Sequence, residues 1–231
     1  MNTSAEFKTA VNLSLPTFFA YFPLGIVFAV LWLKAGIAGY WAPMMSMFVF
    51  AGAVQFVALS MIQEHASILA IVLATSFVAF RNVFYGLSLI ERFKSKPKLL
   101  KLFLIFGLVD ATYGILNAHP QNSSHNDHAF CFYLALLPYL YWVSGTWLGL
   151  LIYPIMPEIQ GLDFMLTSFF MVLVVDLYCV SRDKFSLWMP VVFTFISYLI
   201  LPKQYLVFAI LLSVIFLYIS ESRELKTTED K

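Results

Sequence analysis

The chain has 231 residues, of which 61% are hydrophobic, 18% aromatic and only 12% charged, and its formal net charge is +1. A soluble domain carries about 25% charged residues, so this composition excludes an ordinary soluble protein, and the near-zero net charge offers no basic face for nucleic acid. We therefore predict an integral membrane protein whose solvent is the lipid bilayer, with no nucleic-acid partner.

Eight apolar segments follow one another along the chain, at residues 15–33, 42–62, 67–90, 102–116, 129–153, 162–179, 186–201 and 205–219. They are too long and too continuous for the strands of a membrane barrel, so we predict an all-α, polytopic helical bundle. Residues 1–231 are expected to form a single integral membrane domain, with an N-terminal tail at 1–14 and a polar C-terminal tail at 220–231.

Two loops differ in charge and predict the topology. Loop 91–101 carries five Lys or Arg residues and loop 117–128 carries none. The positive-inside rule places the first loop in the cytoplasm and the second outside, with segment 102–116 crossing between them. The positive charges separate best between the two sides if the fifth or sixth segment does not fully cross. We predict about seven crossings, an outside N-terminus, a cytoplasmic C-terminus, and a broken or re-entrant helix near Pro154 and Pro157.

The first two segments contain polar or helix-breaking features. Pro23 and Gly25 predict either a broken helix whose free backbone groups bind substrate or a simple kink. Gln55 follows the small residues 51–53 deep in the second segment. Its amide needs hydrogen-bond partners, which are either a substrate or a neighbouring helix.

Segments three and four each carry a charge at membrane depth. A guanidinium cannot lose its charge and is costly in lipid, so Arg81 is expected to face a partner, a cavity or a substrate. Asp110 is expected to carry an ion or to pair with Arg81. Asp163 precedes the sixth segment, where it is either a helix N-cap or part of a site. The loop residues His125 and His128 have metal-like spacing but polar surroundings, so we predict no metal site and no cofactor.

Taken together, these residues resemble the branched-chain amino-acid exporter large-subunit family, the azaleucine-resistance or AzlC proteins. The resemblance covers residues from about 15 to the end of the sixth segment, and no single piece of it is specific. Its carriers, in the family's order, are Pro23 to Gly25, Ala51 to Phe56, Phe80 to Tyr85, Asp110 with Thr112, Trp142 to Gly149, and Gly161 to Phe164. This chain lacks the His that usually follows the family's Arg and the Glu that usually follows its Asp.

The resemblance implies a two-component secondary exporter of branched-chain or related apolar amino acids, driven by an ion gradient, with the proton as the expected ion. It also implies a small AzlD-type membrane subunit and a multi-pass location in the bacterial inner membrane. The candidate substrate-binding residues are Arg81, Asn82, Gln55, Pro23 and Gly25, and the candidate coupling or charge-pair residues are Asp110, Thr112 and Asp163.

Two other functions are open. An intramembrane aspartyl hydrolase could use Asp110 and Asp176, although neither lies in the sequence setting typical of such proteases. A membrane assembly subunit without transport would need no buried arginine. We therefore expect a transporter and no enzyme.

Overall fold

The computed structural model describes residues 3–119, 127–156 and 184–200, together with 161, 164, 167–168, 171, 209, 212–213 and 216. These residues are helical and contain no strand, which confirms the all-α prediction. The longer helices are α1 (Thr3–Lys34), α2 (Trp41–Phe48), α3 (Gly52–Gln63), α4 (Ile68–Ser88), α5 (Ile90–Lys94), α6 (Lys98–Phe106), α7 (Asp110–Ala118), α8 (Asp127–Ile152) and α9 (Lys184–Ile200).

The backbone divides into two compact units, and the single membrane domain expected over residues 1–231 stays a prediction. The first unit is Met1–His65 with Val78–Met165, and the second is Ala66–Phe77 with Leu166–Lys231. Composition is uniformly apolar along the chain and therefore cannot reveal which segments pack together. In the second unit, Pro190 lies inside α9, and the Thr194 hydroxyl donates to the Pro190 carbonyl at 2.7 Å.

Helices α1 and α8 are the central pair of the first unit, and they run parallel. The Phe7 and Tyr133 rings lie 5.2 Å apart near the start of both helices. Near the other end, a Cβ at Gly149 would lie only 2.6 Å from the Ile26 carbonyl oxygen. The first residues of both helices therefore lie at the same end of the unit.

Of the two alternatives for the first segment, the broken helix is wrong, because α1 continues through both Pro16 and Pro23. Each proline removes only one backbone hydrogen bond, and close packing against α8 stabilises the helix around Pro23. A Cβ at Gly25 would lie 2.6 Å from the Trp142 carbonyl oxygen. Gly25 thus permits the approach of two backbones. The predicted tail at 1–14 is also helical from Thr3 onward, because its buried side chains, including Ala10, belong to the same core.

The second segment is broken at residues 49–51 and forms a hairpin of α2 and α3, called hairpin 1. The Phe50 ring at the break lies 6.5 Å from the Tyr21 ring. The Phe56 ring, one and a half turns into α3, lies 5.6 Å from Phe28, about two turns further along α1. Helix α3 therefore returns toward the end of the unit at which α2 began.

The fourth segment is also a hairpin, called hairpin 2, in which α6 and α7 meet at 118°. Helix α6 has 9 residues and is about 14 Å long, too short for the roughly 30 Å hydrocarbon core. At the turn, a Cβ at Gly107 would lie 2.8 Å from the Ala135 Cβ. Helix α7 then runs back beside α8, where the Thr112 hydroxyl donates to the Leu134 carbonyl at 3.4 Å.

The contacts of Arg92 overturn the predicted topology of the two loops. Its guanidinium donates to the carbonyls of Leu116, at 2.6 Å, and His119, at 2.7 Å, and it pairs with Asp127 at 2.6 Å. Loop 91–101 and the described ends of loop 117–128, residues 117–119 and 127–128, therefore lie at one end of the unit, because segment 102–116 turns back instead of crossing. The apolar pattern is the same in both cases, so it could not distinguish them.

We call this end, which also holds the starts of α1 and α8, the basic end. Among described residues up to 156 it carries Lys8 and the five cations of loop 91–101, against Lys34 at the opposite end. The combination of an outside N-terminus with a cytoplasmic loop 91–101 is therefore wrong.

The predicted count of about seven crossings is not confirmed. Three helical stretches within the described residues are long and apolar enough to cross a membrane: Ala5–Lys34, Ile68–Ser88 and Asp127–Ile155. The bent pair of hairpin 2 would make a fourth if it formed one span. A broken or re-entrant helix was predicted, but the hairpins occur in the second and fourth segments. Near Pro154, the predicted location, the chain forms a short 3₁₀ turn over Tyr153–Ile155.

Candidate functional site

Arg81 and Asp110 form an ion pair at the turn of hairpin 2. The Arg81 Nη2 lies 2.9 Å from the Asp110 Oδ2, and the two side chains are 41% and 28% exposed. Arg81 lies in the middle of α4, and Asp110 is the first residue of α7. An accessible guanidinium is costly against lipid. The pair therefore fits a polar cavity or a binding partner better than a purely structural role.

Asp110 is positioned by the break in the fourth segment. The N-terminus of α7 carries free backbone amides and a partial positive charge, which favour a carboxylate there. The second carboxylate oxygen, Oδ1, is buried and has no hydrogen-bond partner in the part of the chain that the structure describes. This oxygen can accept a proton or an ammonium group without breaking an existing hydrogen bond.

Two phenols surround the ion pair. Tyr21 and Tyr85 both lie within electrostatic range of Asp110 and Arg81. The Tyr21 hydroxyl lies within hydrogen-bonding reach of the backbone amide of Ala111, and the Tyr85 ring stacks on Tyr113 with centroids 4.3 Å apart. Tyr85 ends one of the stretches that carry the family resemblance, but neither tyrosine was predicted as a site residue, because a neutral phenol in a chain with 12 tyrosines carries no charge signal.

The turns of the two hairpins meet at a cluster of aromatic rings. Phe50 lies 6.3 Å from Phe106 and 5.4 Å from Tyr139, and Phe106 lies 5.8 Å from Tyr139, measured between ring centroids. Phe50 belongs to the break of hairpin 1, and Phe106 is the last residue of α6. Two discontinuous helices that meet inside the bundle are a typical arrangement for substrate and ion sites in secondary transporters.

Gln55 has the interhelical role that was the alternative to substrate binding. Its side chain is fully buried. Its amide nitrogen donates to the carbonyl of Val49, and its carbonyl oxygen accepts from the indole of Trp142 at 3.1 Å and from the Ser46 hydroxyl at 3.5 Å. The Ser46 hydroxyl also lies 2.9 Å from that of Thr146. Gln55 thus fixes the turn of hairpin 1 against α8 and has no donor or acceptor left for a ligand.

The structure does not bring the other candidate site residues together around the ion pair. Thr112 is buried and bonded to α8, so it supports hairpin 2 without reaching Arg81 through a described contact. Pro23 and Gly25 lie in the continuous α1, where Gly25 allows α8 to approach. Asn82 lines a cavity between α4 and α6. Asp163 lies outside the described residues, as does Asp176, and Asp110 is paired with a cation instead of a second carboxylate.

A second charge cluster, which sequence reasoning missed, lies at the basic end. Asp127 accepts from Arg92 at 2.6 Å and pairs with Lys96, and the three side chains are 8%, 9% and 0% exposed. Arg92 also binds two carbonyls at the end of α7, so the cluster joins hairpin 2 to the start of α8. The sequence offered only one signal for this cluster, the carboxylate of Asp127 at the start of an apolar segment that follows a polar loop.

The described residues contain no group of three His, Cys, Asp or Glu side chains that could hold a metal ion. His119 is exposed, and its Nδ1 lies 3.0 Å from the Ile115 carbonyl oxygen. His125 lies outside the described residues, so the interpretation of this loop as solvated stays a prediction.

Comparisons with known proteins place these residues in a family. A family model described as "AzlC protein" matches residues 16–156. An "Uncharacterized membrane protein" of Helicobacter pylori is 30% identical over 213 residues, which covers 91% of this chain and 93% of the relative. The "Branched-chain amino acid transport protein AzlC" of Bacillus subtilis is 28% identical over 183 residues, covering 79% and 72%. The "Inner membrane protein YgaZ" of Escherichia coli is 28% identical over 148 residues, covering 63% and 60%. No solved structure matches the chain.

Proposed function

Because this chain belongs to the AzlC family, we propose that it is the large subunit of a two-component secondary transporter that exports branched-chain or related apolar amino acids. The name of the Bacillus subtilis relative, a branched-chain amino acid transport protein, supports the substrate class. The name of the Escherichia coli relative, an inner membrane protein, supports the bacterial inner membrane as the location.

The observation that carries this proposal is the accessible ion pair of Arg81 and Asp110 at the turn of hairpin 2. An amino acid carries the same two charges as the pair. Its carboxylate would displace Asp110 from Arg81 and bind the planar guanidinium through two hydrogen bonds. Its ammonium would bind the Asp110 carboxylate, whose Oδ1 has no partner among the described residues.

The displacement of Asp110 from Arg81 by the substrate carboxylate also suggests how transport is coupled to an ion. When the substrate carboxylate occupies Arg81, Asp110 loses its protein counter-charge inside the membrane, where an isolated carboxylate is costly. It must then bind either the substrate ammonium or a proton. We propose that on the return step, which carries no substrate, a proton replaces Arg81 as the partner of Asp110. Asp110 would then bind substrate ammonium and proton alternately, which would couple export to a proton gradient.

The proposed partner is a small AzlD-type membrane subunit, and its warrant is membership of the family alone. The test reconstitutes the purified chain in vesicles of bacterial phospholipid, with and without that subunit, and measures transport of labelled leucine under an imposed proton gradient. We expect gradient-dependent transport only when both subunits are present. Equal transport by the chain alone would refute the two-component proposal, and no transport by the complex would refute the function.

A further inference from the structure

A cavity of about 410 Å³ lies in the first unit between α4 and α6. This volume is within the range of small-molecule binding sites, about 300–1,000 Å³. The cavity wall is mostly apolar, and the side chains that matter for its use are Asn82, Gly86, Ile90, Lys101, Ile105 and Leu108.

Only two of the side chains that line this cavity are polar, and they lie near its two ends. Lys101 belongs to the basic end, whereas Asn82 lies within α4, eight residues before Ile90, the first residue of α5. Neither side chain makes a hydrogen bond or ion pair with any residue that the structure describes. The deeper of the two, the Asn82 amide, is unfavourable at membrane depth unless a ligand or water satisfies it.

The inner end of the cavity lies at the turn of hairpin 2, which also carries the ion pair. Asn82 directly follows Arg81, and Leu108 precedes Asp110 by two residues, so each wall of the cavity ends within two residues of a member of the pair. The cavity therefore connects the basic end of the first unit with the turn of hairpin 2. The positive-inside rule predicts that the basic end faces the cytoplasm.

We propose that this cavity is the cytoplasmic entrance through which an apolar amino acid reaches Arg81 and Asp110. This inference rests on the proposed function. Lys101 attracts the substrate carboxylate at the opening, and the wall of Ile90, Ile105 and neighbouring apolar residues accommodates the substrate side chain. The Asn82 amide then hydrogen-bonds the carboxylate as it moves to Arg81. A lipid acyl chain would also match the wall, but it would leave the Asn82 amide without a partner.

A substitution at Gly86 can be used to block the cavity. A Cβ at this position would have no neighbour within 4 Å, so the helix accepts a side chain there and the ring of Gly86→Phe would enter the cavity. Gly114 is a matched control, because it is also a helical glycine with no atom within 4 Å of an added Cβ, and it does not line the cavity. Lys8 is an exposed lysine of the basic end outside the cavity and serves as the control for Lys101.

The transport test uses inside-out membrane vesicles from cells that make the whole chain together with its native partners, and it measures the initial rate of labelled leucine uptake. We expect Gly86→Phe to lower the rate about tenfold or more and Gly114→Phe to leave it near the unaltered rate, because only the first fills the route. Lys101→Gln should raise KM about tenfold through the loss of one charged contact, and Lys8→Gln should not.

A labelling test separates a water-filled entrance from a lipid site. With Cys131 and Cys179 replaced, Gly86→Cys should react with a charged thiol reagent from the cytoplasmic side, and leucine should slow the reaction. Reaction only with a lipid-soluble maleimide would identify a lipid groove and overturn the entrance. Normal leucine uptake by Gly86→Phe would overturn it while leaving the proposed function intact. No uptake by the unaltered protein would instead refute the proposed function itself.

Discussion

The charge cluster around Asp127 makes a quantitative prediction about stability. Asp127→Asn keeps the side-chain volume but removes the only negative charge that contacts Arg92 and Lys96 among the described residues. All three side chains are less than 10% exposed, so water cannot replace the lost carboxylate. Removing one partner of a buried ion pair costs about 3–5 kcal/mol. Here two cations would lose their partner, so we expect the upper part of that range.

The assay is the apparent midpoint of thermal unfolding of the detergent-purified protein, followed by tryptophan fluorescence. For a chain of this size, 1 kcal/mol shifts the midpoint by about 2–4 °C, so Asp127→Asn should lower it by about 10 °C. Glu91→Gln is the control, because Glu91 contacts Lys94 at 3.8 Å with both side chains more than 70% exposed. An exposed pair of this kind contributes little to stability. A midpoint for Asp127→Asn equal to that of the control would refute the reasoning.

Three further predictions concern the ion pair, the topology and the helix packing. Arg81→Lys should reach the membrane at normal abundance but lower leucine transport about tenfold, since an ammonium cannot bind a carboxylate through two parallel hydrogen bonds; unchanged transport at equal abundance would leave Arg81 only a structural role. Lys94→Cys and Asn117→Cys, in a cysteine-free background, should both react with an impermeant reagent from the cytoplasmic side, and reaction from opposite sides would disprove hairpin 2. Gly145→Val should lower the unfolding midpoint, because its Cβ would collide with the backbone of Phe22 and overpacking costs about 1–3 kcal/mol or more; a midpoint equal to that of the unaltered protein would contradict the close packing of α1 and α8.

The sequence predicted the helical membrane class and the two charges of the candidate site. Both predictions depend on the free energy of transferring side chains from water to lipid, which is favourable for apolar groups and unfavourable for ionised ones. Arg81 and Asp110 were recognisable since an ionised side chain within an apolar segment needs a compensating contact. Their contact at 2.9 Å agrees with the predicted pairing. Their role in transport stays a prediction.

The path of the chain could not be predicted in the same way. Hydropathy measures whether a segment prefers lipid, and a hairpin that enters and returns is as apolar as a helix that crosses. The turn of hairpin 2 depends on Gly107 lying against Ala135, a contact between residues far apart in the sequence. Pro23 had the opposite effect: it suggested a break, but it lies in a continuous helix that packing against α8 stabilises.

Hairpin 1 also has a consequence for the order in which the protein is made. The side chains that fix its turn are bonded to residues synthesised much later: Gln55 to Trp142, 87 positions away, and Ser46 to Thr146, 100 positions away. Until the ribosome has completed α8, the Gln55 and Ser46 side chains at the break lack these partners, and polar groups without partners are unfavourable in lipid. We expect a nascent chain stopped before residue 127 to leave hairpin 1 at the membrane surface and sensitive to added protease, whereas a chain extended to residue 156 should protect it. Hairpin 1 would then enter the bilayer only after translation has passed it.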